Sequence, residues 1–154
     1  SGVYVHAWSN DAEIRKNVLK QTSGGDSHIT LFYSGKILTA KELQKAASVV
    51  ISDVPRTAVI IDCFVNTFMN RKTEKTRHDV LMMVDEETNI WVENMRRNVL
   101  GKHFATSGVC MGKPHITHAI DLPDLETANR TCSDLKKLIS NDGIIVHLNG
   151  VTLD

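Results

Sequence analysis

The chain has 154 residues with Lys plus Arg and Asp plus Glu both at 18, so it suits a single domain over residues 1–154 and lacks the net basic field that holds a protein on a long nucleic acid. At 42% hydrophobic and 23% charged, with 9 glycines and 3 prolines, it is neither disordered nor collagen-like nor a coiled coil. Cys63, Cys110 and Cys132 form no CxxC pair, no apolar run approaches the ~20 residues of a membrane span, and Ser1-Gly2 opens without a basic start or a hydrophobic leader core, so a soluble, cytoplasmic protein without disulfides, zinc-thiolate site or membrane contact is expected.

Val3 to Trp8 alternates as a first strand, with Tyr4, His6 and Trp8 on one face. Asn10 with Glu13 three residues on predicts a helix N-cap, and Ile14, Val18 and Leu19 its apolar face, ending before the turn residues Ser23 to Asp26. A second strand follows from His28 to about Ser34. Thr39 and Glu42 form a capping box for a helix burying Leu43, Ala46, Ala47 and Val50, and Pro55 marks its stop. The β-branched run Ala58 to Val65 predicts a buried strand reaching toward Met69. Arg71 to Arg77 reads as an exposed hairpin or loop, either a solvated turn or a cationic guide for a phosphorylated ligand. Asp79 to Val84 is the next strand, and Asp85 to Gly101 a helix with Trp91, Met95 and Val99 at four-residue spacing. A short strand is predicted at Val109 to Met111 and a longer one from Lys113 to Ile120. Leu125, Ala128, Cys132, Leu135 and Ile139 step through a last helix, Asn141 to Gly143 turns, and Ile144 to Val151 closes the chain. Two successive βαβαβ runs imply an α+β or α/β sandwich of two similar halves.

The chemistry lies in a repeat. His28-Ile29-Thr30-Leu31-Phe32 and His115-Ile116-Thr117-His118-Ala119 fall on equivalent strands, one in each half. Alternation turns His28 and Thr30, and His115 and Thr117, to one side, with Ile29, Leu31 and Ile116 toward the core. Two imidazole and hydroxyl pairs facing a common groove suit an in-line phosphoryl displacement that needs no metal. One neutral imidazole takes a proton from the attacking hydroxyl, an imidazolium gives one to the departing oxygen, and the ordinary histidine pKa of about 6.5 populates both forms near neutrality. The threonine hydroxyls can hold the nonbridging oxygens, where charge builds.

These paired His-x-Thr motifs resemble the two-histidine phosphoesterase superfamily, and the resemblance in element order covers nearly the whole chain. It implies a bilobal α+β fold of two pseudo-symmetric sheet lobes with flanking helices and a central groove. It also implies cleavage or ring-opening of 2′,3′-cyclic phosphates, 2′-5′ linkages or small cyclic oligonucleotides without a metal or other cofactor. On this likeness His28 and His115 are acid and base, and Thr30 and Thr117 phosphate holders. His118 departs from the pattern, which usually has an apolar residue there. Gly2-Val3-Tyr4-Val5 and Tyr33-Ser34 further resemble the small phage branch that degrades the cyclic nucleotide signals of bacterial CBASS defence.

Tyr4 and Trp8 are candidates for stacking on nucleobases, or ordinary core and rim aromatics. Lys113, two residues before His115, is a candidate phosphate contact, or a surface lysine at a strand start. His6 reads as a hydrogen-bonded structural histidine or as a further groove residue, and His78, His103 and His147 lack ligand spacing. No GxxxxGK[ST], GxGxxG or GxSxG motif occurs, so nucleotide-triphosphate, dinucleotide-cofactor and serine-hydrolase sites lack support. The expected ligand is a small cyclic or short linear oligonucleotide, favoured as a defence second messenger. The alternatives are processing of RNA 2′,3′-cyclic phosphate ends or 2′-5′ ligation, and a nucleotide-binding sponge without turnover.

Overall fold

The computed structural model describes residues 2–20, 27–104 and 112–154. Its elements are β1 (Gly2–Trp8), α1 (Ala12–Asn17), β2 (His28–Tyr33), α2 (Ala40–Ile51), β3 (Arg56–Met69), β4 (Thr76–Val84), α3 (Glu86–Leu100), a 3-10 turn (Gly101–His103), β5 (His115–Leu122), α4 (Leu125–Leu138) and β6 (Ile144–Leu153). The order is the expected one. The turn expected at Ser23 to Asp26 and the short strand expected at Val109 to Met111 lie outside the described residues.

Local chemistry explains most boundaries. Thr39 and Glu42 cap α2 reciprocally, and the four residues expected on its buried face are buried. Asp85 and Asp124 cap α3 and α4 by accepting from Thr88 and Thr127 backbone N–H groups. For α1 the cap is Asp11, not Asn10. The Ser9 hydroxyl already accepts the Asp11 N–H, which shifts the turn by one residue, and Asp11 then accepts the Glu13 N–H at 2.9 Å. β5 begins at His115 instead of Lys113, because Pro114 between them has no N–H to give a ladder. Beyond Cys63 and Val65, β3 is exposed, not buried; it leaves the core as one arm of a ribbon with β4, closed by a hairpin in which Asn70 Oδ1 accepts the Lys72 and Thr73 N–H groups.

All strand pairs are antiparallel, and the strands close into one barrel in the order β1-β2-β5-β4-β3-β6. Where two sheet lobes are expected from the sequence, the hydrogen-bonded sheet is continuous, and β2 and β5 meet in it at the pair Ile29–Ile116. One face of each strand joins the helices in a single core: Val3, Val5, Ile29, Leu31, Met82, Ile116 and Val146 from the strands, and Val50, Val92, Ala128 and Leu135 from the helices. The other face is therefore the one left for chemistry. Among the described residues no helix is long and apolar enough to cross a membrane.

Candidate active site

The pair Ile29–Ile116 fixes the site. Both isoleucines are fully buried, so their neighbours in each strand, His28 and Thr30, and His115 and Thr117, turn to the opposite, half-exposed face. Antiparallel register carried one residue either way sets His28 across from Thr117 and Thr30 across from His115. Directly opposite Cβ atoms lie roughly 5 Å apart and diagonal ones roughly 7–8 Å, so the two imidazoles stand on a diagonal with room for a tetrahedral group between them. The four residues come together on neighbouring strands of one sheet.

Two bulges keep the flanking strands in phase. β1 pairs Val3 with Phe32 but Tyr4 with Thr30, so Leu31 is an extra residue in β2, and Leu31 and Phe32 are both buried while Thr30 and His28 stay on the site face. β6 spends three residues where β1 spends two between Val5–Val151 and Ala7–Leu148. Gly150 takes the φ of +83° that this bulge requires, which brings Thr152 and Asp154 beside Tyr4 and His6. The face thus reads Tyr4, Thr30, His115 along one row and His6, His28, Thr117 along the next.

His115 Nδ1 lies 2.8 Å from the Lys113 carbonyl, which can only accept. Nδ1 is therefore the protonated nitrogen, and in the neutral ring Nε2 is left as the basic one. Lys113 itself is exposed and ahead of the strand; its backbone, not its ammonium, meets His115. Tyr4 stands edge-on to His28, with ring centroids 5.1 Å apart at 72°. Its hydroxyl donates to Asp154 Oδ1 at 3.4 Å, and burial together with the Asp154 charge raises its pKa above the ordinary tyrosine value. A cavity of about 300 Å³ opens beside His28, lined by Tyr4, His6, His28, Thr152 and Asp154.

Trp8 is not brought to that cavity. It pairs with His147 at the far end of β1, 47% exposed, with the Arg15 guanidinium 4.6 Å over its ring. His118 is the extra residue of a third bulge, between Val80–Ala119 and Leu81–Thr117, and is buried away from the site. Its Nδ1 donates to the Val18 carbonyl at 2.7 Å, so the one departure from the motif pattern is a tie between β5 and the end of α1. Among the described residues no group of three or more His, Cys, Asp or Glu side chains is arranged to hold a metal.

One residue that sequence reasoning missed is Arg96. Buried on α3, it donates from Nε to the Leu31 carbonyl and from Nη2 to the Thr30 carbonyl at 3.3 Å, behind the first motif at its bulge. Only its i,i+3 spacing from Glu93, with which it forms an ion pair at 3.1 Å, is visible in the sequence.

No family model matches the sequence, and no curated protein matches it. Among solved structures the fold is similar to that of Usb1 from Kluyveromyces marxianus. With uridine monophosphate, that structure has a TM-score of 0.53 at 8% identity, covering 97% of this chain and 92% of that one. A second structure of the same protein has a TM-score of 0.55 at 8% identity, covering 97% and 91%. The chain therefore has an α+β fold similar over nearly its whole length to that of Usb1.

Proposed function

We propose that the face carrying His28, Thr30, His115 and Thr117 is the active site of a metal-independent phosphodiesterase of the two-histidine kind, acting on ribonucleotides. The carrying observation is the Ile29–Ile116 register, which gathers two imidazoles and two hydroxyls on one side of adjacent strands. His115, with its Nδ1 proton held by the Lys113 carbonyl, is the base: Nε2 takes the proton of a ribose 2′-hydroxyl as that oxygen attacks the adjacent phosphorus. His28, as imidazolium, protonates the departing oxygen, leaving a 2′,3′-cyclic phosphate. When water opens that ring, the two exchange roles. Thr30 and Thr117 donate to the nonbridging oxygens.

For substrate the reading favours RNA ends, with formation or opening of a 2′,3′-cyclic phosphate. The fold is shared with a protein solved with uridine monophosphate, a ribonucleotide, and the neutral chain suits a short ligand better than a long tracked strand. A cyclic oligonucleotide messenger is the second reading, supported by the Gly2 to Val5 and Tyr33-Ser34 resemblance; Gly2 and Tyr33 pair directly beside the site.

The test is turnover with EDTA present on RNA bearing a 2′,3′-cyclic phosphate, 2′-5′ oligoadenylate and cyclic dinucleotides, with products identified by mass. His28→Ala and His115→Ala should each lose at least ~10²-fold in kcat/KM with melting unchanged. Full activity in either variant refutes the assignment, and loss of wild-type activity on chelation refutes the metal-free mechanism. Ligand bound and recovered intact would make the protein a sponge.

A further inference from the structure

The cavity beside His28 has a polar character that phosphate chemistry leaves unused. Asp154 sits at its rim, and its two oxygens are not equivalent. The Gly2 N–H donates to Oδ1 at 3.1 Å and the Tyr4 hydroxyl to the same atom at 3.4 Å, while among the described residues no hydrogen bond reaches Oδ2. The carboxylate is thus oriented by β1 and keeps one acceptor for a ligand. Across the cavity His6 Nε2 and Thr152 Oγ1 are hydrogen-bonded to each other, which leaves Tyr4 as an aromatic wall. A cavity of about 300 Å³ is at the small end of ligand sites and is one to two strand spacings from the β2–β5 seam, within reach of the base of a nucleotide whose phosphate lies there.

We infer that this cavity is a nucleobase subsite selective for guanine, with Asp154 as the acceptor that reads the base edge and Tyr4 as the ring that packs on it. The inference rests on the phosphodiesterase reading above and names the base next to the phosphate. Guanine alone of the common bases presents two adjacent parallel donors, its ring N–H and its exocyclic amine, which can converge on a single acceptor oxygen such as Oδ2. Uracil presents one N–H between two carbonyl oxygens that a carboxylate repels, and adenine and cytosine each set an acceptor beside their amine.

Calorimetric titration of guanosine, inosine and uridine 3′-monophosphates into the wild type and Asp154→Asn tests it, with RNA turnover measured on the same preparations. Asparagine keeps an oxygen for Gly2 and Tyr4 and turns the free acceptor into a donor. The wild type should bind the guanosine nucleotide roughly tenfold tighter than the uridine one, with inosine, which lacks the amine, in between. Asp154→Asn should erase that ranking. Equal wild-type affinities, or a guanosine preference undiminished in Asp154→Asn, overturn the subsite even when turnover is intact. A guanosine preference without turnover sustains the subsite and overturns the phosphodiesterase, binding of none of the three with turnover intact overturns the subsite alone, and binding of none without turnover overturns both. The inosine comparison needs no variant and decides the matter if Asp154→Asn does not fold.

Discussion

Arg96 holds the carbonyls of Thr30 and Leu31 from behind, so the first motif is tied to α3 by a buried cation. Replacing its planar fork by an ammonium removes a contact to one of the two carbonyls. Arg96→Lys should therefore cost about 2 kcal/mol in urea unfolding and lower kcat more than it changes KM. The sequence could not announce this role, because an arginine in an amphipathic helix reads as surface and a fully buried one is rare. The His-Ile-Thr pairs were legible for the opposite reason: alternation along a strand is local, and a buried isoleucine between two polar residues declares both faces. The same logic puts Tyr4 on the face of His28, where it stands, but does not give the fates of Trp8 and Lys113, since stacking by Arg15 and the strand start after Pro114 are not written in the alternation. Cys63 and Cys132 make a second residue-scale case. Their sulfurs lie 3.1 Å apart, and burial with the hydrogen bond to Cys132 pushes the Cys63 thiol up to about 12. Iodoacetamide at pH 8 should leave the native Cys63 peptide unlabelled and label it fully after unfolding, as read by peptide mass.

At the scale of elements, the capping box of α2 was readable, the α1 cap was misplaced by one residue, and bulges were not readable. Thr39 with Glu42 is a local signature and α2 obeys it; the bulges at Leu31, His118 and Gly150 depend on which strand lies alongside, which no short window contains. Gly143 shows how tightly one turn is specified. Its φ is +76°, and a Cβ there would stand 2.4 Å from Val59 Cγ1 and 2.7 Å from the Ile60 carbonyl oxygen. Gly143→Ala should destabilise by about 2–4 kcal/mol, measured by urea denaturation, since left-handed strain and a clash with backbone add. The tie between β5 and α1 carries a pH signature. Burial lowers the His118 pKa below the ordinary imidazole value, against the raising effect of its bond to the Val18 carbonyl. A histidine depressed in the folded state contributes stability that is complete above the unfolded pKa of about 6.5 and is lost as pH falls through the folded pKa. The urea midpoint should drop on going from pH 7.5 to 5.5, and drop less in His118→Asn, which keeps a donor for Val18 and cannot take a proton.

For the whole molecule, two βαβαβ runs were evident from periodicity, but closure was not, because the pairings β1–β6 and β2–β5 join residues distant in the chain. Closure leaves the barrel staves no free edge, so strand addition is denied there; the outer edge of β3 from Asp62 to Met69, which pairs with β4 but not with β6, is the stretch that closure does not cover. The circle is nonetheless uneven. β3 and β4 pair along the ribbon from Ile60–Val84 to Met69–Thr76, whereas β2 meets β5 through Ile29 and Ile116 alone, and that thin join is where the two imidazoles sit. Breathing at this join would spread the rings apart without unfolding anything else, so amide deuteration at Ile29 and Ile116 should run ahead of that at Ile60 and Met82, and a bound nucleotide bridging both strands should slow it. A ligand would then act on the barrel as a clasp, fastening the ring at its loosest link.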